Sequence, residues 1–184
     1  MKKEWKKAYE TKRKEFKKEG WKLSASSKTL EISLLEHYAH LRDSSSRELV
    51  GEVTRFISVN AGKQAAYNNA LIAYSSTAGS TLRGRIVSDL NIDQSNAEEF
   101  DKMYAAYERL VQQEIRGELA ESFTIIKDNG KSKSMRTFFI VNEDKAMQAR
   151  IRAFKRAAEE TALAQRYASK IAAFVREGFE TSKE

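Results

Sequence analysis

Neither cysteine nor proline occurs anywhere in the chain, and histidine occurs only twice. Without cysteine there are no disulfides, no thiolate metal sites and no thiol nucleophile. Proline breaks helix interiors by removing an N–H and clashing with the preceding turn. Average usage would have placed about nine prolines in a chain of this length, so their absence fits long uninterrupted helices. Long hydrophobic runs are missing as well. Ala70–Tyr74 is an apolar run of five residues, against about 20 needed to span a bilayer. The start, Met1-Lys2-Lys3-Glu4-Trp5-Lys6-Lys7, has no apolar centre of a secretion signal. A soluble chain, not secreted by a signal peptide, is therefore expected.

What is present suits one folded domain. Of the 184 residues, 41% are hydrophobic and 32% charged, a balance of globular rather than disordered chains. The net charge of +7 is unevenly spread. Residues 1–22 hold ten Lys or Arg against four Glu; residues 23–144 hold 14 basic and 17 acidic groups; residues 145–184 hold nine and five. Basic ends of this kind suit phosphate, an anionic surface or an acidic partner. A solvated lysine-rich helix face accounts for the same charge without any partner.

The pattern predicts a mainly α fold: a multi-helix bundle with one β-hairpin, about 123–141, inserted between two long helices. Phe123-Thr124-Ile125-Ile126 and Phe138-Phe139-Ile140-Val141 are β-branched or aromatic, as half-buried strands require. Asp128-Asn129-Gly130 between them is a strong hairpin signal. A two-residue turn at Asn129-Gly130 would set Phe123 opposite Arg136. Aligning the apolar ends would set it opposite Val141, leaving 127–137 as a basic tip in solvent. The second arrangement is the one expected.

Elsewhere the spacing predicts helices. Residues 2–22 carry Trp5, Tyr9 and Phe16 on one face, with Gly20 ending the helix and Trp21 beyond it. A basic aromatic N-terminal helical arm, 1–22, is expected to precede a single helical domain, 23–184, that holds the hairpin and a long C-terminal helix. In the body a helix at 30–42 buries Leu30, Leu34, Leu35, Tyr38 and Leu41. Ser45-x-x-Glu48 reads as a capping box for a helix reaching residue 58. Helices at 63–75 and 82–90 follow, separated by a loop at 76–81. Ser95-x-x-Glu98 caps a long helix running to Glu121, and a last helical pattern runs from Asn142 to Glu177, breaking or projecting near Glu160-Thr161.

Chemistry-bearing patterns are few. His37, His40 and Asp43 share one side of a helix, a geometry open to metal. They lack the i, i+4 histidines and intervening glutamate of the zinc-protease helix, so surface or half-buried imidazoles are the plainer reading. Gly79-Ser80-Thr81-Leu82-Arg83-Gly84-Arg85 puts hydroxyls and arginines at an expected helix start, where anions bind, but holds no Walker sequence. No triad or nucleophile elbow is visible. No cofactor, metal or enzymatic activity is expected.

The layout of helices, a protruding hairpin and terminal extensions is similar in architecture to small assembly proteins of tailed phages such as head–tail adaptors, without a diagnostic residue. That likeness implies a non-catalytic assembly subunit, a homo-oligomer or part of a larger complex. Trp5, Tyr9, Phe16 and Trp21 would then anchor the arm on a neighbouring subunit. The alternative is a DNA- or RNA-binding regulatory or packaging protein using the basic arm, Lys127, Lys131, Lys133 and Arg136 at the hairpin tip, and Arg150, Arg152, Lys155 and Arg156 on the last helix. A winged-helix arrangement is disfavoured, because residues 96–121 carry seven acids against Lys102, Arg109 and Arg116.

Overall fold

The computed structural model describes residues 2–24, 26–90 and 92–179. In chain order they form α1 (Lys2–Glu19), β1 (Trp21–Leu23), α2 (Leu30–Leu41), β2 (Ser46–Val53), α3 (Val59–Asp89) and α4 (Gln94–Ile115). There follow β3 (Ala120–Asp128), β4 (Lys133–Asn142), α5 (Glu143–Ala158), α6 (Ala162–Arg166) and α7 (Ala168–Glu177). The chain is mainly helical, as its periodicity requires. Among the described residues no helix is long and apolar enough to cross a membrane. The hairpin does lie between α4 and α5, but it is no isolated finger. It is the centre of a four-stranded antiparallel sheet ordered β1-β3-β4-β2.

Two compact units divide the chain: Met1–Ala70 with Leu119–Glu143, and Leu71–Glu118 with Asp144–Glu184. The division does not fall at residue 22. In the first unit, α1 and α2 cover one face of the sheet. Phe16 of α1, Trp21 of β1 and Leu34 of α2 close a core with Phe123, Ile125 and Phe138. Alternation in the strands makes this possible, since Phe123 pairs with Phe138, and Leu23 with Ile125, on the same face. The first turns of α3 approach the other face. The Tyr67 ring meets Phe139 edge-on at 5.7 Å, and a Cβ on Gly62 would stand 2.8 Å from Met135.

The hairpin register matches neither alignment considered from sequence. Phe123 pairs with Phe138 and Asp128 with Lys133, leaving a four-residue loop, 129–132. Asp128 accepts the Gly130 N–H at 2.9 Å, the Asn129 N–H bonds the Ser132 carbonyl at 2.9 Å, and Gly130 takes a positive φ of 89°. The turn chemistry therefore forms where Asp-Asn-Gly stands, one step wider than a type I′ hairpin. A bulge between Glu121 and Phe123 absorbs the remaining mismatch. Lys127, Lys133 and Arg136 consequently lie in strands rather than in a flared tip.

Three further expectations are corrected. Residues 46–53 are a strand, not a helix, and β2 pairs along its whole length with β4. Gly51 lies at its centre because the Ala66 backbone leaves no room for a side chain there. Residues 63–90 are not two helices joined by a loop, since α3 runs 31 residues without a break. Its small polar residues stay helical by returning hydroxyls to the helix's own carbonyls, Ser75 to Ile72 at 3.0 Å and Thr77 to Ala73 at 2.9 Å. The long helix α4 is capped by Asp93 rather than Ser95, accepting from the Asn96 N–H at 3.3 Å, and ends at Ile115 rather than Glu121.

The second unit is all helical. Its core is built from Leu71, Tyr74, Leu82 and Ile86 of α3, Phe100, Met103, Tyr107 and Val111 of α4, and Phe154, Ile171 and Val175 beyond. Five alanines of α5, at 146, 149, 153, 157 and 158, are buried, which lets neighbouring backbones approach closely. The last helical pattern does break where Glu159-Glu160-Thr161 stands, and Thr161 caps α6 by accepting the Ala164 N–H at 3.1 Å.

Candidate functional site

The first unit carries the charge. Its residues include 19 Lys or Arg against 12 Asp or Glu, which accounts for the whole +7, while the second unit is formally neutral. Helix α1 sorts that charge by face. At 3.6 residues per turn, Trp5, Tyr9, Lys12 and Phe16 turn toward the unit, and Lys3, Lys7, Lys14 and Lys18 form an exposed outer ridge. Two of the glutamates are drawn aside. Glu15 pairs with Lys12 at 3.2 Å, and Glu19 accepts the Trp21 indole N–H at 2.9 Å. Of the other two, Glu4 lines the groove beside Trp5 and Glu10 lies exposed beside the outer lysines.

From the end of α1 the basic strip continues into the sheet. Trp21 of β1 stands opposite Lys127 of β3, and the cations of Lys127 and Arg136 lie 5.9 Å and 4.7 Å from its ring. Lys131 and Lys133 are exposed at the turn. Among the described residues Lys14, Lys18, Lys22, Lys127, Lys131 and Lys133 form no ion pair, whereas Lys17 is paired with Glu31 at 3.0 Å and Arg136 with Glu52 at 3.4 Å. Lys17 holds the Glu31 carboxyl below its ordinary value by hydrogen bonding. Such an unbalanced row of ammonium groups raises the positive potential along the helix and the hairpin.

The other four expected contacts are differently engaged. Arg150 is 1% exposed. It donates to the Tyr74 hydroxyl at 2.6 Å and to the Val175 carbonyl at 3.3 Å, so it is a core group that caps α7. Arg152 and Arg156 both clasp Glu114, at 2.8 Å and 3.3 Å. Lys155 is exposed. All four belong to the second unit. The Gly79–Arg85 segment lies within α3, so no helix starts there to hold an anion. Its Arg83 pairs with Asp101 at 2.7 Å, and its Arg85 with Asp89 and Glu177.

The expected aromatic anchors also separate. Phe16 and Trp21 are sealed in the chain's own core, because the hairpin supplies the apolar surface that a neighbour was expected to supply. Neither is free to grip another subunit. Trp5 and Tyr9 are half-buried. Trp5 lies in a groove of about 780 Å³ lined by Glu4, Tyr38, Ala39, Leu41, Arg42 and Asp43. The Arg42 guanidinium covers its ring at 5.1 Å, while the buried indole N–H has no hydrogen-bond partner. Burial, with Glu48 and Glu15 nearby, pushes the Tyr38 hydroxyl up to about 12.

One arrangement was invisible in the sequence. His37 is 1% exposed, and both ring nitrogens are engaged, Nδ1 with Ser122 Oγ at 2.8 Å and Nε2 with Glu48 at 2.5 Å. Phe123 and Phe138 press edge-on against the ring at 5.2 Å and 5.8 Å. Ser122 reaches His37 because the bulge leaves it without a partner in the strand pairing. A serine, a histidine and a glutamate in a row invite comparison with a hydrolytic triad. The imidazole is walled by aromatic rings, and its two bonds tie α2 to β2 and β3. His40 stands exposed and apart from it. Among the described residues no cluster of three or more His, Asp or Glu is placed to hold a metal ion.

Compared with known protein families, curated proteins and solved structures, the chain matches none.

Proposed function

We propose that this protein binds nucleic acid through its first unit, with the outer ridge of α1 and the turn of the β3–β4 hairpin as the contact surface. The observation that carries this reading is the segregation of charge. The whole net charge resides in one unit, and six of its lysines there stand without a carboxylate. Helix α1 is 18 residues, or about 27 Å at 1.5 Å per residue, long enough to follow several phosphates. Contacts to the sugar–phosphate chain of this kind supply affinity rather than sequence choice. The role is a binding one, and no catalytic step is assigned.

Binding to a labelled 25-base-pair duplex and to a single strand of equal length, measured across a salt series, tests the reading. About five phosphate contacts give a slope of log K against log salt near −4.5 on duplex. Changing Lys14, Lys18, Lys131 and Lys133 together to Glu abolishes binding and leaves the circular dichroism spectrum unchanged. Absence of binding to either probe at 50 mM salt refutes it.

A second reading is favoured by a separate observation, the Trp5 groove with its unpartnered indole N–H. Aromatic side chains in such sites dominate protein interfaces, and an assembly subunit would dock a partner's side chain there. In that case Trp5→Ala breaks up an oligomer in sedimentation velocity, whereas the four lysine changes do not.

A further inference from the structure

Ile57 has no cover at all. Its exposure, 103%, exceeds that of an isolated extended residue, and it stands in the link between β2 and α3. Aliphatic β-branched side chains are among those most often buried. The link that presents it is nevertheless firmly held. On one side Phe56 is half-buried beside Gly62, where an added Cβ would meet its ring at 3.0 Å. On the other, Ser58 caps the start of α3, its hydroxyl accepting the Ala61 N–H at 3.2 Å and its carbonyl the Gly62 N–H at 2.8 Å. The neighbouring wall is the hairpin turn. Phe56, Ile57, Ser58 and Val59 face Asp128, Gly130, Lys131, Ser132 and Lys133 across a groove of about 520 Å³, in which two ammonium groups outnumber the one carboxylate.

A single rigid aliphatic prong flanked by unpaired ammonium groups has a specific chemistry. Proteins that kink duplex DNA insert an apolar wedge between base steps while cations hold the phosphates on either side. A bilayer is the other surface that takes apolar and basic groups together. Stable membrane anchoring requires more than one weak signal, and only Ile57 projects fully here. The cations, by contrast, continue along α1 in a ridge suited to a linear polyanion.

We infer that Ile57 is a wedge that enters a base step of duplex DNA and bends it, with Lys131 and Lys133 on the adjoining phosphates. This rests on the nucleic-acid reading above and adds to it a preference for duplex and a deformation.

The full chain and its Ile57→Ala variant are compared on a 25-base-pair duplex carrying a fluorophore pair at its ends, and on a single strand. The wild-type chain raises energy transfer on the duplex. Ile57→Ala binds with the same salt slope but about tenfold more weakly, and the rise in transfer is lost. Affinity for the single strand is unchanged. Val87→Ala, at another exposed aliphatic, alters none of these. If the wild-type chain binds the duplex without a change in transfer, or Ile57→Ala bends it equally, the wedge is wrong and the lysine interface stands. If neither nucleic acid is bound, both readings fall. Binding to phosphatidylserine vesicles that depends on Ile57, without DNA binding, overturns the wedge in favour of a lipid surface.

Discussion

A Cβ placed on Gly51 would lie inside the van der Waals envelope of the Ala66 carbonyl, so strand β2 and helix α3 touch backbone to backbone at that point. Both partners are buried, and the obstructing atoms are main chain, which cannot rotate away. Gly51→Ala is therefore expected to destabilise the protein by about 3 kcal/mol or more, at the upper end of overpacking effects. Urea denaturation checks this, and a loss under 1 kcal/mol would mean that α3 is free to slide on the sheet.

Phe16→Ala removes a fully buried ring that lies tilted against Phe138 at 5.8 Å. A loss of about 3–5 kcal/mol is expected, as for other buried aromatics. Trp5→Ala loses a half-buried ring and the Arg42 contact above it, worth about 1 kcal/mol. The ratio of the two, read from thermal or urea unfolding, separates a core helix from a tether. Equal and small effects would restore the tether.

Ser122→Ala leaves His37 Nδ1 without its 2.8 Å partner in a place water does not reach. An unmet buried polar group costs about 1–3 kcal/mol. The same substitution at Ser44, an exposed residue of the α2–β2 link, is expected to change stability by less than about 0.5 kcal/mol. Matching effects at the two serines would show that His37 Nδ1 has found a different partner.

The Glu114 carboxyl is held below its ordinary value of about 4.5 by the hydrogen bond from Arg152, with further help from Arg156 and against the opposing effect of burial. A depressed carboxylate contributes stability above its unfolded value, and that contribution fades as pH falls through the folded value. The clasp between α4 and α5 should accordingly persist at pH 5 and weaken only in the acid range under 4.5. Carbon-detected NMR titration of Glu114 in the wild-type chain and in Arg152→Ala measures the shift. The variant's midpoint should rise, and an unchanged midpoint would mean that the pair does not form in solution.

Much of the helical frame is visible in the residues alone. The leucine spacing from Leu30 marks α2, Gly20 ends α1, and Glu159-Glu160-Thr161 interrupts the last helical pattern because Thr161 is a better cap than a helix interior residue. The failures share one cause. Ser45-x-x-Glu48 imitates a capping box, while the reason for a strand there, a glycine facing Ala66, is a contact between elements. Ser76–Thr81 looks like a loop until Gly79 is seen to leave room for Glu108 of α4. In α2 the expected inward Leu35 is exposed and His37 is inside, because Glu48 and Ser122 come from remote strands. The lysines of the candidate interface are plain in the sequence. That Phe16 and Trp21 are core, that Arg150 is buried, and that Ile57 is bare all depend on long-range packing.

Strand β3, which hydrogen-bonds β1, and strand β4, which covers Phe16, lie about a hundred residues downstream of the segments they complete. During synthesis the first unit must wait until residue 142 has left the ribosome, and by then α3 and α4 have already emerged. For that interval the nascent chain exposes Phe16, Trp21 and Leu34 without a lid.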